Sequence, residues 1–400
     1  SYTRNFGKVL FWWNYCKFKN GVNMISLNST TYRLGNLDNY QAKLNFQMGG
    51  SKLQFGSDDS VTFGRLTHTE DKIKTQKGIV EQIERADVLN KTSDTAMKEV
   101  KLLLEKIKAE ELIKANTSTT SIEGLEAIAG VIEGYKQNIF NLANTQTEGQ
   151  YVFAGSDASV KPFSMDASGK VTYNGDSELR KVAVDEGSYR ERGINGIDAF
   201  FYVADSASKG ATLTFKDGDR ITDQDGKEWV FDNVANTLTK TNWDGSTQTP
   251  LAVTPPVAPA TEYTTTVPNT DGTRFEARRN MFDMLDEAIS SLRGLDSAGN
   301  PTLTYEDRRA GISKAIDEST KAYDTAVIAH SELGAKNKTF EVSKERAESK
   351  ITQLSILEKE LGNSNLTEVA TELKALEISY TALYSTINRT FELSLTNFLK

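Results

Sequence analysis

The sequence predicts a mainly α protein with a β insert. Its N- and C-terminal arms form a long, coiled-coil-like α-helical stalk, and a central β-rich domain projects from it. Three observations predict this. Proline and glycine are confined to the middle of the chain, both ends carry apolar residues at alternating three- and four-residue steps, and the middle is cut by closely spaced turn dipeptides.

Six of the seven prolines lie between Pro162 and Pro268, and none occurs over 24–160 or 302–400. A proline inside a helix costs about 3 kcal/mol, so the two proline-free flanks can run as long helices. Twelve glycines fall between Gly149 and Gly272, among them Asn174-Gly175-Asp176, Asp217-Gly218-Asp219, Asp225-Gly226 and Asp244-Gly245. Between these turns the stretches Val171–Tyr173, Leu179–Val184, Ala211–Phe215 and Trp229–Phe231 alternate or cluster apolar residues. Short strands joined by hairpins are the expectation. Asp223-Gln224-Asp225-Gly226 opens like a calcium loop, but no Glu closes it at the required offset, and it reads as a hairpin turn. The Pro/Thr-rich run Thr249–Val267 reads as an extended linker or loop excursion.

In the C-terminal arm Leu366, Val369, Leu373, Leu376, Tyr380, Leu383 and Ile387 step by 3, 4, 3, 4, 3, 4, which sets all seven on one helical stripe. Phe391, Leu395 and Phe398 or Leu399 extend that face, and apolar residues so placed are expected to have a partner. Near the other end Leu34, Leu37, Gln41, Leu44 and Met48 repeat the 3, 4, 3, 4 spacing, weakened by Gln41. Such stripes serve equally well as a helix–helix core inside one molecule. Their position at opposite ends of the chain argues for paired termini. Between the arms, Ile73–Lys114 and Ile122–Ala143 read as helices, the second with Ser121 as the expected cap. On the return, Phe275–Leu292 and Tyr305–Lys359 read as helices separated by Gly294–Pro301.

The expected organisation is a terminal helical assembly domain (24–75 with 345–400), a helical rod (76–148 with 274–344) and an outward β-rich insert (149–273). Residues 1–23 are basic and aromatic, with an apolar stretch Val9–Trp13 too short for a signal-peptide core. The expectation is that they precede a natural start at Met24; a short membrane-interface anchor is the alternative.

Chemistry has few handles in this composition. The histidines are His68 and His330 and the one cysteine is Cys16, so neither a metal site nor an internal disulfide is expected. Phosphate-cradling, metalloprotease and nucleophile-elbow motifs are missing, and no enzymatic activity and no cofactor are expected. A net charge of −8 argues against nucleic acid as a partner, and no apolar run reaches the roughly 18–20 residues of a membrane span.

A more specific signal lies in Leu142-Ala143-Asn144-Thr145, Gly149 and Tyr151-Val152-Phe153-Ala154-Gly155, followed by Pro162-Phe163, Tyr173, Gly175-Asp176, Arg180, Gly187 and Gly196. This run resembles the hook-associated protein 3 family, the flagellin-like junction proteins between hook and filament of the bacterial flagellum. Met24-Ile25-Ser26, the Gly50–Ser60 segment with Ser57-Asp58-Asp59, Leu333-Gly334-Ala335-Lys336 and the stretch from Ser379-Tyr380 to Phe398-Leu399 resemble the family's corresponding segments. Gly56 and Ser60 stand where the family has prolines, and about Lys209–Asp271 is an insertion that does not align. Flagellin is the nearest rival. The Leu142–Gly155 segment, and Ser364-Asn365-Leu366 in place of flagellin's Asp-Ala-Asp, favour the junction protein.

The resemblance implies a secreted, extracellular structural subunit. It would leave the cell unfolded through the flagellar type III apparatus and order its terminal helices against neighbours. It implies partners too: further copies in a ring, the other hook-associated junction protein, flagellin and an export chaperone. The expected assembly seam is Leu34, Leu37, Leu44, Leu366, Val369, Leu373, Leu376, Tyr380, Leu383 and Ile387. A surface adhesin working through the β insert is the reading from a different class.

Overall fold

The computed structural model describes residues 29–398 apart from 243–244 and 258–259. The expectations for residues 1–23 and Met24-Ile25-Ser26, for Leu399, and for the side chains of Phe391, Leu395 and Phe398, lie outside the described residues. The chain divides into two compact units, residues up to Lys77 with those from Ser349 onward, and Gly78–Glu348.

The terminal unit contains helix α1 (29–48), the start of α2 (Ser60–Lys106), the end of α7 (Tyr305–Gly362) and α8 (Leu366–Phe398). The loop after α1 turns at Gly50, whose φ is +97°, a conformation that an L side chain resists. Asp59 then caps α2, accepting from the Thr62 amide at 3.0 Å and its hydroxyl at 2.6 Å.

In the central unit α2 continues into a π-helical stretch, Ile107–Leu112, and a last turn α3, Ile113–Ala115. Ile83, Ala86, Asn90, Ser93, Met97, Val100, Leu104 and Ile107 are all buried and step alternately by three and four. On α7 the buried stripe is Ile312, Ala315, Ser319, Ala322, Ala326, Ala329 and Leu333, with the same spacing. These helices run antiparallel, as Lys344 pairs with Glu84 at 2.7 Å and His330 lies 3.4 Å from Asp94. Against them pack α4 (Ile122–Ala143), capped by Ser121 through the Gly124 amide, and α6 (Met281–Arg293). Small side chains along α7 allow close backbone approach, and one continuous apolar core results.

The strands follow α4. Three hairpins come first: β1 (Gln146–Thr147) with β2 (Gln150–Tyr151), β3 (Phe163–Met165) with β4 (Val171–Tyr173), and β5 (Lys181–Asp185) with β6 (Ser188–Glu191). A short helix α5 (Gly196–Phe200) leads to β7 (Phe201–Ser208). Then come β8 (Thr212–Phe215), β9 (Arg220–Asp223), β10 (Glu228–Asp232), β11 (Thr237–Thr239), β12 (Leu251–Thr254), β13 (Tyr263–Thr266) and β14 (Arg274–Asn280). They form an eight-stranded antiparallel sheet of order β7-β14-β9-β10-β11-β12-β13-β8, over its own core of Leu213, Phe215, Ile221, Trp229, Leu238 and Phe275. The unalignable segment, Lys209–Asp271, supplies β8 to β13. It grows out of the β7–β14 pair and is closed at its neck by the Lys209 amide on the Thr273 carbonyl.

Two readings change. Phe275–Asn280 is strand β14, not the start of a helix, because Phe275, Ala277 and Arg279 alternate into the interior and the helix begins only after the Asn280 cap. The Thr249–Val267 run is not a linker: β12 and β13 pair within it, and the prolines at 255 and 256 fall in their connection. The Asp223–Gly226 turn is a hairpin turn. The Asp223 carboxylate accepts from the Asp225 and Lys227 amides, the Trp229 indole and Lys240.

Candidate functional site: the terminal helix pair

The terminal unit brings six of the ten expected seam residues together within one chain. Leu44 has no exposed surface and packs with the buried Val369 and Leu376; Leu37, Leu373 and Tyr380 close over them. The pairing is antiparallel, since Leu44 lies toward the start of α8 while the Tyr380 hydroxyl donates to Asp38 Oδ1 at 2.5 Å, and Tyr40 donates to Glu372 Oε2 at 2.8 Å. Loss of water around the Tyr380 hydroxyl and the neighbouring Asp38 carboxylate push its pKa up to about 12. The Glu372 bond likewise raises Tyr40.

Leu34, Leu383 and Ile387 are half-buried outside that cluster, and Leu366 is 51% exposed. Gln41, which breaks the N-terminal stripe, is exposed. The pair is locked at one end by a bridge between Ser51 and Asn363. There the Lys52 amide donates to the Gly362 carbonyl at 2.7 Å and the Ser364 amide to the Gly50 carbonyl at 3.1 Å. Next to it Asp58 accepts from the Phe55 and Gln54 amides, which hold its carboxyl below the usual range. Asp59 is lowered by its Thr62 bonds. The Ser57-Asp58-Asp59 segment is thus a loop-closing and helix-capping device.

The outer faces of this unit are apolar as well. Phe55 is 62%, Val61 71% and Ile378 65% exposed, and Tyr384 is half exposed. A shallow groove of about 750 Å³ runs along α8 between Leu366 and Ile378. The exposed aromatics Phe55 and Phe63 and the off-stripe Ile378 belong to no single sequence period, so spacing does not mark them.

In the central unit the Tyr151–Gly155 segment has a structural explanation. The Tyr173 hydroxyl bridges the Phe153 carbonyl at 3.0 Å, the Asp176 carbonyl at 2.8 Å and the Gly196 amide at 3.2 Å. Gly155 has φ +89°, and a Cβ there would lie 2.6 Å from the Asp176 carbonyl. Phe153, Phe163, Phe200 and Tyr173 stack edge-on or tilted around that hub, with centroids 5.0–5.1 Å apart. His68 is exposed, and His330 sits between Asp94 and Lys101. Among the described residues no group of His, Cys, Asp and Glu could hold a metal, and no helix is long and apolar enough to cross a membrane.

No protein-family profile and no curated protein matches the chain. Solved structures do. The crystal structure of flagellar hook associated protein-3 from Legionella pneumophila is similar over 74% of this chain and 98% of its own, at 16% identity and a TM-score of 0.50. A putative flagellar hook-associated protein from Vibrio parahaemolyticus is similar over 76% of this chain and all of its own, at 11% identity and a TM-score of 0.50. The fold is therefore that of flagellar hook-associated proteins, a helix-rich body with an inserted antiparallel sheet.

Proposed function

We propose that this protein is a structural subunit of the bacterial flagellum that joins hook to filament and performs no chemical step. The observation that carries the reading is the terminal unit. Its helix pair consumes one apolar stripe internally and still presents a second set, Phe55, Val61, Leu366, Ile378 and Tyr384, to solvent. Extended apolar exposure of this kind marks an interaction surface. Burying it against a neighbour yields roughly 25 cal/mol per Å².

In this reading Leu37, Leu44, Val369, Leu373, Leu376 and Tyr380 hold the arm that each subunit offers. Leu34, Leu366, Leu383 and Ile387 extend the seam to the neighbouring copy. The fold shared with hook-associated proteins supports self-assembly in a ring, contact with the other junction protein and with flagellin, and delivery by an export chaperone to the cell exterior. A chain with one cysteine carries no internal disulfide to undo before passage unfolded through a type III channel.

Immunogold electron microscopy of intact flagella, with an antibody against 209–271, tests the reading. A short band between hook and filament is expected. Label along the whole filament would assign the chain as flagellin, and label confined to the cell body would favour an adhesin.

A further inference from the structure

A small cavity lies where α2 meets the Tyr151–Gly155 segment and the strand-end residues Arg192 and Gly193. Asn90, on α2, is fully buried. Its Oδ1 accepts from the Gly193 amide at 2.7 Å, which fixes the side-chain orientation, because only the oxygen can meet an N–H. The Nδ2 is consequently turned the other way, is buried, and has no hydrogen-bond partner. A buried donor left unmet is costly, and native interiors avoid it. The cavity that Asn90 lines measures about 20 Å³, above the ~10–15 Å³ that one water-sized occupant needs.

Two arginines line the same cavity. Arg180 and Arg192 are neighbours, joined by the Arg192 amide on the Arg180 carbonyl at 2.9 Å. Arg180 Nε donates to the Ser156 carbonyl and Arg192 Nη2 to Gln150 Oε1, both neutral acceptors. Among the described residues neither arginine has a carboxylate at ion-pair distance; Arg180 is exposed, with Asp157 close enough to feel its charge, whereas Arg192 is half-buried, and the nearby Asp176 carboxylate is engaged by Ser156. Burial, and the Arg180 charge beside it, both work against the positive charge on Arg192. Ser93, also on the cavity wall, spends its proton on the Leu89 carbonyl. An unmet amide donor and a half-buried cation with no carboxylate at ion-pair distance therefore line one small cavity.

We propose that this cavity binds one small monovalent anion of halide size, held by Asn90 Nδ2 and the half-buried Arg192, with the exposed Arg180 at its edge. The ion completes the hydrogen bonding of α2 and ties it to the Tyr151–Gly155 segment. A water molecule would satisfy Asn90 but leave the half-buried Arg192 charge, with that of Arg180 beside it, uncompensated.

The test is thermal unfolding of the full chain in sodium gluconate progressively replaced by sodium chloride at constant ionic strength, with bromide-soaked crystals read by anomalous scattering. A saturable rise in midpoint with chloride is expected, together with a bromide peak in the cavity. Asn90→Asp keeps the acceptor for Gly193 and puts a carboxylate oxygen where the donor was. It should fold, be at least as stable as the parent in gluconate, and lose the chloride dependence. Arg192→Gln should weaken the chloride response at least tenfold in concentration. Equal midpoints in both salts, a chloride response unchanged in Asn90→Asp, or density for water alone would each overturn the assignment.

Discussion

Arg279 on β14 grips Asp219 with two hydrogen bonds, Nε to Oδ1 at 3.2 Å and Nη2 to Oδ2 at 3.1 Å, and both side chains are almost wholly buried. Its Nη1 also reaches Glu318 on α7 at 3.2 Å, so one guanidinium joins the inserted sheet to the helical body. Burial opposes that charge, but the Asp219 and Glu318 carboxylates more than offset it, and the guanidinium is held firmly protonated. Removing one partner strands the other's charge in the interior. Asp219→Ala is expected to destabilise the central unit by about 3–5 kcal/mol, read as a lower urea midpoint.

Tyr173→Phe isolates the contribution of the hydroxyl hub. The ring stays packed against Phe163, while the Gly196 amide loses its acceptor and the Phe153 and Asp176 carbonyls lose their donor. A loss of ~1–3 kcal/mol is expected in chemical denaturation. Gly155→Ala should cost at least as much, since it meets both a positive φ and the Asp176 carbonyl.

Asp283, in the first turn of α6, is pushed up to about 6 by burial, with Asp286, Asp219 and Glu287 adding to the rise and Lys170 opposing it. A carboxyl raised above its unfolded value favours the folded state only while protonated. Its effect on stability is therefore absent below about pH 4, grows unfavourable between 4 and 6, and is constant above. Asp283→Asn should gain ~2–3 kcal/mol above pH 6 and nothing below pH 4, measured by urea unfolding across that range.

In the terminal unit the buried and exposed apolar residues separate folding from assembly. Leu376 is 4% exposed inside the helix pair, so Leu376→Asp is expected to melt α1 against α8, with loss of far-ultraviolet helicity and of incorporation into flagella. The sheet core around Trp229 and Phe275 should keep its near-ultraviolet signal. Ile378→Asp, on the exposed face, should leave helicity unchanged and still block incorporation. Normal incorporation of that variant would remove the outer face from the proposed interface.

Much of the architecture was legible from local chemistry, and its gaps have physical causes. The helix over Ile122–Ala143, with its Ser121 cap, and the turn at Asp223–Gly226 depend on neighbours a few residues away, so pattern alone locates them. The stripes on α2 and α7 carry Asn90, Ser93, Ser319 and five alanines at seam positions, which disguise a 3–4 repeat when only leucine is sought. Among the seam candidates, Leu44, Val369 and Leu376 are buried as spacing suggests, whereas Leu366 is not, because spacing names a stripe and not how far a partner covers it.

The sequence by itself determined the long helical arms, the β-rich middle and the turn positions. Proline exclusion, glycine turns and apolar period are all properties of short stretches of chain. Only the tertiary structure decided that β12 and β13 pair across a proline-rich connection, that Phe275–Asn280 leaves the helix for the sheet, and that Arg279 meets Asp219 from 60 residues away. Strand pairing and buried charge draw their stability from residues far apart in the chain, and no local pattern records which of them will meet.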